Sequence, residues 1–214
     1  MKYRTGLLIA IALLIIIMLF VYIRHTLREP SIEQTIIAGI AENCPQWLAF
    51  HSDDEHKLEL DKFELESEAN LQIQTGEYQF DPEKAELYKY LRNPQKPLYL
   101  DLYSYKLEIG KNDEYWGGFN VDTEVALIDS TDEQRIRIYF AGPAIYVEDG
   151  FWLDSENLVF LCIHDIHKHR NFEPLIWHVN LEQETISTYA YDEDITLSTG
   201  YLEHKFAHID FDRQ

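Results

Sequence analysis

The longest apolar interval of the chain runs from Gly6 to Ile23, GLLIAIALLIIIMLFVYI, eighteen residues without a charge. At about 1.5 Å of rise per residue such a run spans roughly 27 Å as a helix, close to the ~30 Å hydrocarbon core of a bilayer. The β-branched residues in it disfavour helix in water, but in lipid the backbone has no other way to satisfy its polar groups. Tyr3, Phe20 and Tyr22 supply interfacial rings, and Lys2, Arg4, Arg24 and Arg28 bracket the run with charge. The pattern predicts a membrane anchor over residues 1–28, in contact with the lipid bilayer through Gly6 to Ile23. No small-x-small cleavage site follows the run, and the nearest such triplet, Gly39-Ile40-Ala41, lies too far downstream for a cleaved signal peptide. Lys2, Arg4 and the amino terminus outweigh Arg24 and Arg28, which predicts a cytoplasmic amino terminus and a periplasmic or extracellular domain.

Past the anchor the periodicity changes twice. Ile32, Ile36, Ile37 and Ile40 recur at helical spacing behind Ser31 and Gln34, a capping-box pair, so a helix is expected over residues 32–43, with Gly39 weakening it. From Gln46 to Phe80 the pattern has period two (Leu58 and Leu60, Phe63 and Leu65, Leu71 and Ile73, Tyr78 and Phe80), which predicts strands with Glu59, Glu64, Glu66, Gln72 and Gln74 in water. The frame slips at Asp61-Lys62, marking a bulge or turn. Asp81-Pro82-Glu83 starts a second helix, with Leu87, Tyr88 and Leu91 on one face and Pro94 beyond its end.

From Leu98 to Tyr191 strands are expected almost throughout. They are Leu98–Ile109, Val121–Ile128, Arg135–Phe140, Ala144–Val147, Phe151–Leu153, Leu158–His164, Leu175–Leu181 and Ile186–Tyr191, with a turn at Asp149-Gly150. The segments Val125–Tyr139 and Leu175–Tyr189 match at an offset of fifty, each a strand, a charged turn and a strand; this reads as hairpin grammar, with a partial propeller as the rival. The expected fold is therefore mainly β: an N-terminal transmembrane helix, then one antiparallel β-rich domain over residues 29–214, a meander or sandwich or a partial propeller-like sheet, with one or two short helices.

Charge narrows the class of partner. The chain carries 38 Asp+Glu against 18 Lys+Arg, a formal net charge of −20, and none of the acids lies before Glu29. Such a body repels phosphates and anionic headgroups, so no nucleic-acid partner is expected. Cys44 and Cys162 are the only cysteines, able to bridge in an oxidising compartment if they meet and otherwise buried thiols.

Candidate chemistry is sparse. His164-Asp165-Ile166-His167-Lys168-His169 sits at a hairpin tip, with His178 on the returning strand. Imidazoles of this kind suit zinc or copper, so His164, His167, His169 and His178 form the candidate metal set. Lys168 and Arg170 oppose it. His204 and His208 are spaced as in H-E-x-x-H, but Lys205 stands where the glutamate would be. The acidic groups at 52–55, 192–194 and 210–212 lack calcium-loop spacing, and Tyr115, Trp116 and Phe119 around two glycines fit a core edge as well as a stacking platform. No nucleophile elbow, phosphate loop or dinucleotide fingerprint occurs, no catalytic residue is singled out, and no cofactor is implied. The expected role is a single-pass, membrane-anchored interaction or assembly module with a protein partner at the membrane. The alternatives are a membrane-tethered metal-binding protein or metal-dependent enzyme using the His164/His167/His169 cluster, and a sensor domain.

Overall fold

A computed structural model describes Leu14, Met18 and residues 30–52, 58–109, 115–117, 122–166, 171–195 and 200–206. The chain divides into two compact units, residues 1–35 and 36–214. Leu14 and Met18 are helical and exposed; the rest of the run Gly6 to Ile23 lies outside the described residues. Among the described residues no helix is long and apolar enough to cross a membrane.

The fold is mainly β, two antiparallel five-stranded sheets with a few short helices. Sheet A contains β1 (Phe63–Asn70), β9 (Ile145–Trp152), β10 (Asn157–Asp165), β11 (Phe172–Asn180) and β12 (Thr185–Tyr191), in the order β1-β12-β11-β10-β9. Sheet B contains β2 (Gln74–Glu77), β3 (Leu91–Arg92), β4 (Leu98–Asp101), β7 (Thr123–Asp129) and β8 (Gln134–Ala141), in the order β2-β8-β7-β4-β3. A hairpin of β5 (Leu107–Ile109) and β6 (Tyr115–Gly117) stands apart.

Alternation along the strands explains the layers. Leu158, Phe160 and Cys162 of β10 and Leu175 and Val179 of β11 join Leu100, Val125, Leu127 and Ile138 of sheet B in one core between the sheets. The residues in between, Val159, Leu161 and Ile176, turn to the other face of sheet A and pack with Ile36, Ile40 and Trp47. Both faces of sheet A are therefore covered, and β10 reads as an unbroken apolar run rather than an alternating one. Each large apolar side chain buried there contributes roughly 1.5–3 kcal/mol.

The covering layer is α1 (Ile32–Asn43) and α2 (Pro45–Phe50). The expected span and capping box of α1 are both observed: Ser31 N donates to Gln34 Oε1 at 3.0 Å and Gln34 N to Ser31 Oγ at 3.3 Å. Gly39 is buried where a β-carbon would lie 2.6 Å from the Phe151 ring, so it is the close-approach point of helix on sheet. Pro45 does not simply end a helix. It begins α2 at the first-turn position a proline tolerates.

Several expectations need correction. The helix begun by Pro82 is α3, Pro82–Leu87, capped by Asp81, which accepts from Glu83 N at 3.0 Å. It stops before Leu91 because Lys89 takes a positive φ and Leu91 enters β3. The slip at Asp61-Lys62 is a turn, the 3-10 segment Leu60–Lys62. Asp149-Gly150 is not a turn but the middle of β9; a further short helix, α4, covers Tyr201–Lys205, a segment for which the pattern gives no expectation. The two look-alike segments are hairpins, one in each sheet. Each has a four-residue loop ending in a positive-φ glutamate, Glu133 and Glu184, so they are counterparts across a sandwich rather than successive propeller blades.

Candidate functional site

The outer face of sheet B gathers a polar site from residues distant in sequence. Register sets it: Gly76 lies beside Arg135, Gln74 beside Arg137, Arg137 beside Ala126, and Ala126 beside Asp101. A bulge at Ile138 sends Ile138 and Tyr139 inward in succession, so that Arg137 and Phe140 both face outward and the guanidinium sits 4.9 Å from the Phe140 ring centre. Glu124, opposite Phe140, completes the group.

Arg135 is the anchor of the site. Its Nη1 donates to Asp101 at 2.5 Å, and Nε and Nη2 donate to Glu124 Oε1 at 2.9 and 2.7 Å. Burial pulls against the charged form, but the two carboxylates outweigh it and hold the guanidinium's proton more tightly than usual. Arg137 donates to Gln74 Oε1 and lies 3.7 Å from Glu124 Oε2. Asp101 also accepts from Tyr103 N at 3.1 Å, Ser104 N at 2.9 Å and the Ser104 hydroxyl. This Asx-type turn ends β4 and lifts Ser104 and Tyr105 over the face. The result is a hollow of about 480 Å³ lined chiefly by β2, Tyr78, Tyr105, Glu124, Arg135 and Arg137. Its volume is in the range of ligand sites, and the four charged side chains that line it, Glu77, Glu124, Arg135 and Arg137, balance.

A second polar cluster is buried at the edge of sheet A. The bulge in β9 brings Glu148 and Asp149 inward side by side. Glu148 Oε2 meets Trp47 Nε1 at 2.8 Å and His51 Nε2 at 2.7 Å, while its carbonyl accepts from Tyr103 OH at 3.0 Å. Asp149 accepts from Tyr201 OH and Lys205 Nζ, both at 2.6 Å, and Lys205 also donates to Tyr103 OH at 2.9 Å. The pair thus ties α2 and α4 to β9. His51 Nδ1 and Lys106 Nζ are buried without a hydrogen-bond partner among the described residues. Burial pushes the Lys106 ammonium down to about 8, and it sits over the Tyr146 ring, 5.2 Å from its centre.

Of the candidate metal residues only His164 and His178 lie among the described residues, and these two do not meet. His167 and His169 lie outside the described residues. His164 pairs across the hairpin with Glu173, Nδ1 to Oε2 3.2 Å. His178 sits five residues farther along β11, about 16 Å away, and alternation puts it on the opposite face, where Nε2 meets Asn157 Oδ1 at 3.0 Å. His164 and His178 therefore cannot share an ion. Among the described residues no three His, Cys, Asp or Glu side chains are grouped to hold one. His204 is in α4, its ring 5.5 Å from that of Phe50, and His208 lies outside the described residues. Cys44 and Cys162 are both free and buried, packed on opposite faces of sheet A.

Sequence reasoning missed the Arg135 site because its residues converge only through strand register. One local signal was present: Asp101-Leu102-Tyr103-Ser104 has the Asx-turn pattern, inside a stretch read as one strand. Comparison with protein-family models, curated proteins and solved structures finds no match to this chain.

Proposed function

We propose that the protein is a single-pass membrane-anchored binding module: residues Gly6 to Ile23 span the bilayer, and the acidic β domain, outside the cytoplasm, engages a protein partner near the membrane surface. The carrying observation is the uncharged eighteen-residue run followed by a body that holds every acid of the chain. The hollow around Arg135, lined by β2, Tyr78, Tyr105 and four balanced charges, supports a binding role. A metal-dependent role has less support, because His164 and His178 lie on opposite faces of their sheet.

The test is membrane fractionation of the full chain. It is expected to stay with the membrane pellet through a high-salt and alkaline wash and to leave only with detergent. Replacing Leu13 and Leu14 by Arg, each costing about 3 kcal/mol at a bilayer centre, is expected to move it to the soluble fraction. A wild-type chain recovered in the supernatant without detergent would overturn the tether. Protease added to intact cells or spheroplasts reads the side: digestion of the β domain is expected, and protection would reverse the orientation.

A further inference from the structure

Of the four edge strands of the two sheets, β1 and β2 differ most in how they are defended. One edge of sheet A, β1, carries Glu64, Glu66 and Glu68, and its register breaks between Leu65 and Ser67. Charge and a bulge on an edge are the usual defences against a further strand. One edge of sheet B, β2, has no bulge and a single charge, Glu77. Gln74-Thr75-Gly76-Glu77 pairs with β8 in continuous register, contains no proline and one charge, and all four residues are exposed. Its other side is unpaired among the described residues, and a β-carbon on Gly76 would find nothing within 4 Å. The same four residues line the hollow around Arg135.

We propose that Gln74–Glu77 is a docking edge that takes an extended, basic segment of a partner protein as an added strand of sheet B. This rests on the binding-module reading and names its surface and partner. Main-chain hydrogen bonds to the open side of β2 supply the affinity, and alternate side chains of the added strand, reaching over Gly76 into the hollow, supply the selectivity. Charge selects the occupant. Arg135 is held by Asp101 and Glu124, and Arg137 by Gln74, so an acidic segment meets cations already partnered. A basic segment meets Glu77, the one charge of β2 itself and one that lines the hollow, on a chain of net charge −20. A second copy of this chain would bring the same Glu77 and the same net charge of −20 against this one.

The experiment displays random decapeptides to the full chain in nanodiscs of neutral lipid, then maps amide hydrogen exchange with a selected peptide bound. The expected result is enrichment of lysine- and arginine-rich, β-prone peptides, slowed exchange within Gln74–Glu77, and loss of binding when alternate peptide bonds are N-methylated. Backbone groups of successive strand residues point to opposite sides, so of Thr75→Pro and Gly76→Pro only one removes an outward donor. That variant is expected to lose the peptide while keeping the wild-type melting temperature. The proposal falls if no peptide is enriched, if acidic or helical ones are, if N-methylation leaves binding intact, if protection maps elsewhere, or if residues 74–77 become protected by self-association alone. Each of those outcomes leaves the tether standing, since fractionation reads it separately.

Discussion

At the scale of single residues, the informative ones are polar groups buried where the sequence pattern gave no reason to expect them. Lys106 is 7% exposed with no hydrogen-bond partner among the described residues, and burial lowers its pKa to about 8. Because its folded value is depressed below the ordinary 10.5, the folded state resists protonation. The penalty is full below about pH 8 and is relieved as pH rises toward the unfolded value. Lys106→Met is therefore expected to stabilise the protein at pH 7 by up to roughly 3 kcal/mol, the gain shrinking between pH 8 and 10. Urea midpoints across that range check the slope; an undiminished gain at pH 10 would mean packing, not charge, is responsible. Glu148 makes the opposite case. Its removal strands Trp47 Nε1 and His51 Nε2 in the interior, so Glu148→Ala is expected to cost about 3 kcal/mol, read as a lowered denaturant midpoint at unchanged slope.

At the scale of elements, Gly39 sets how α1 meets β9. In an exposed helix Gly→Ala gains about 1 kcal/mol. Here the new methyl would lie 2.6 Å from the Phe151 ring and 2.8 Å from the Leu153 side chain, so Gly39→Ala is expected to destabilise by about 1–3 kcal/mol. Pairing it with Phe151→Leu should recover part of the loss, and thermal unfolding of the double variant measures the coupling; simple additivity would refute the contact. β9 shows the same dependence on tertiary partners. Asp-Gly inside a chain is a strong turn signal, yet Asp149-Gly150 stays in a strand. Tyr201 and Lys205 satisfy the Asp149 carboxylate, and the bulge absorbs the extra residue.

At the scale of the whole molecule, the covered sheet A separates chemistry that the sequence could have joined. Cys44 packs on its helix face and Cys162 between the sheets, so neither thiol can reach the other without unfolding. Burial, reinforced by Asp149, pushes the Cys44 thiol up to about 12, and burial also raises Cys162 well above the usual thiol range. Both are expected to resist a maleimide in the native state and to label together at the rate of global unfolding, with no disulfide after mild oxidation; rapid labelling of one alone would show a local opening.

Local rules were enough wherever a residue's neighbours in sequence are also its neighbours in space. The Ser31/Gln34 box and the Ile32–Asn43 span, the Asp81 cap before Pro82, and the exposed glutamates of β1 were legible for that reason. The β-rich class followed too, because strand pleating imposes period two on side chains whatever they pair with. Only tertiary structure decided which strands share a sheet, that Arg135 meets Asp101 and Glu124, and that His164 and His178 face opposite ways. Those facts depend on register between strands far apart in the chain, and a shift of one residue would reverse every face. Periodicity along one strand carries no record of its partner.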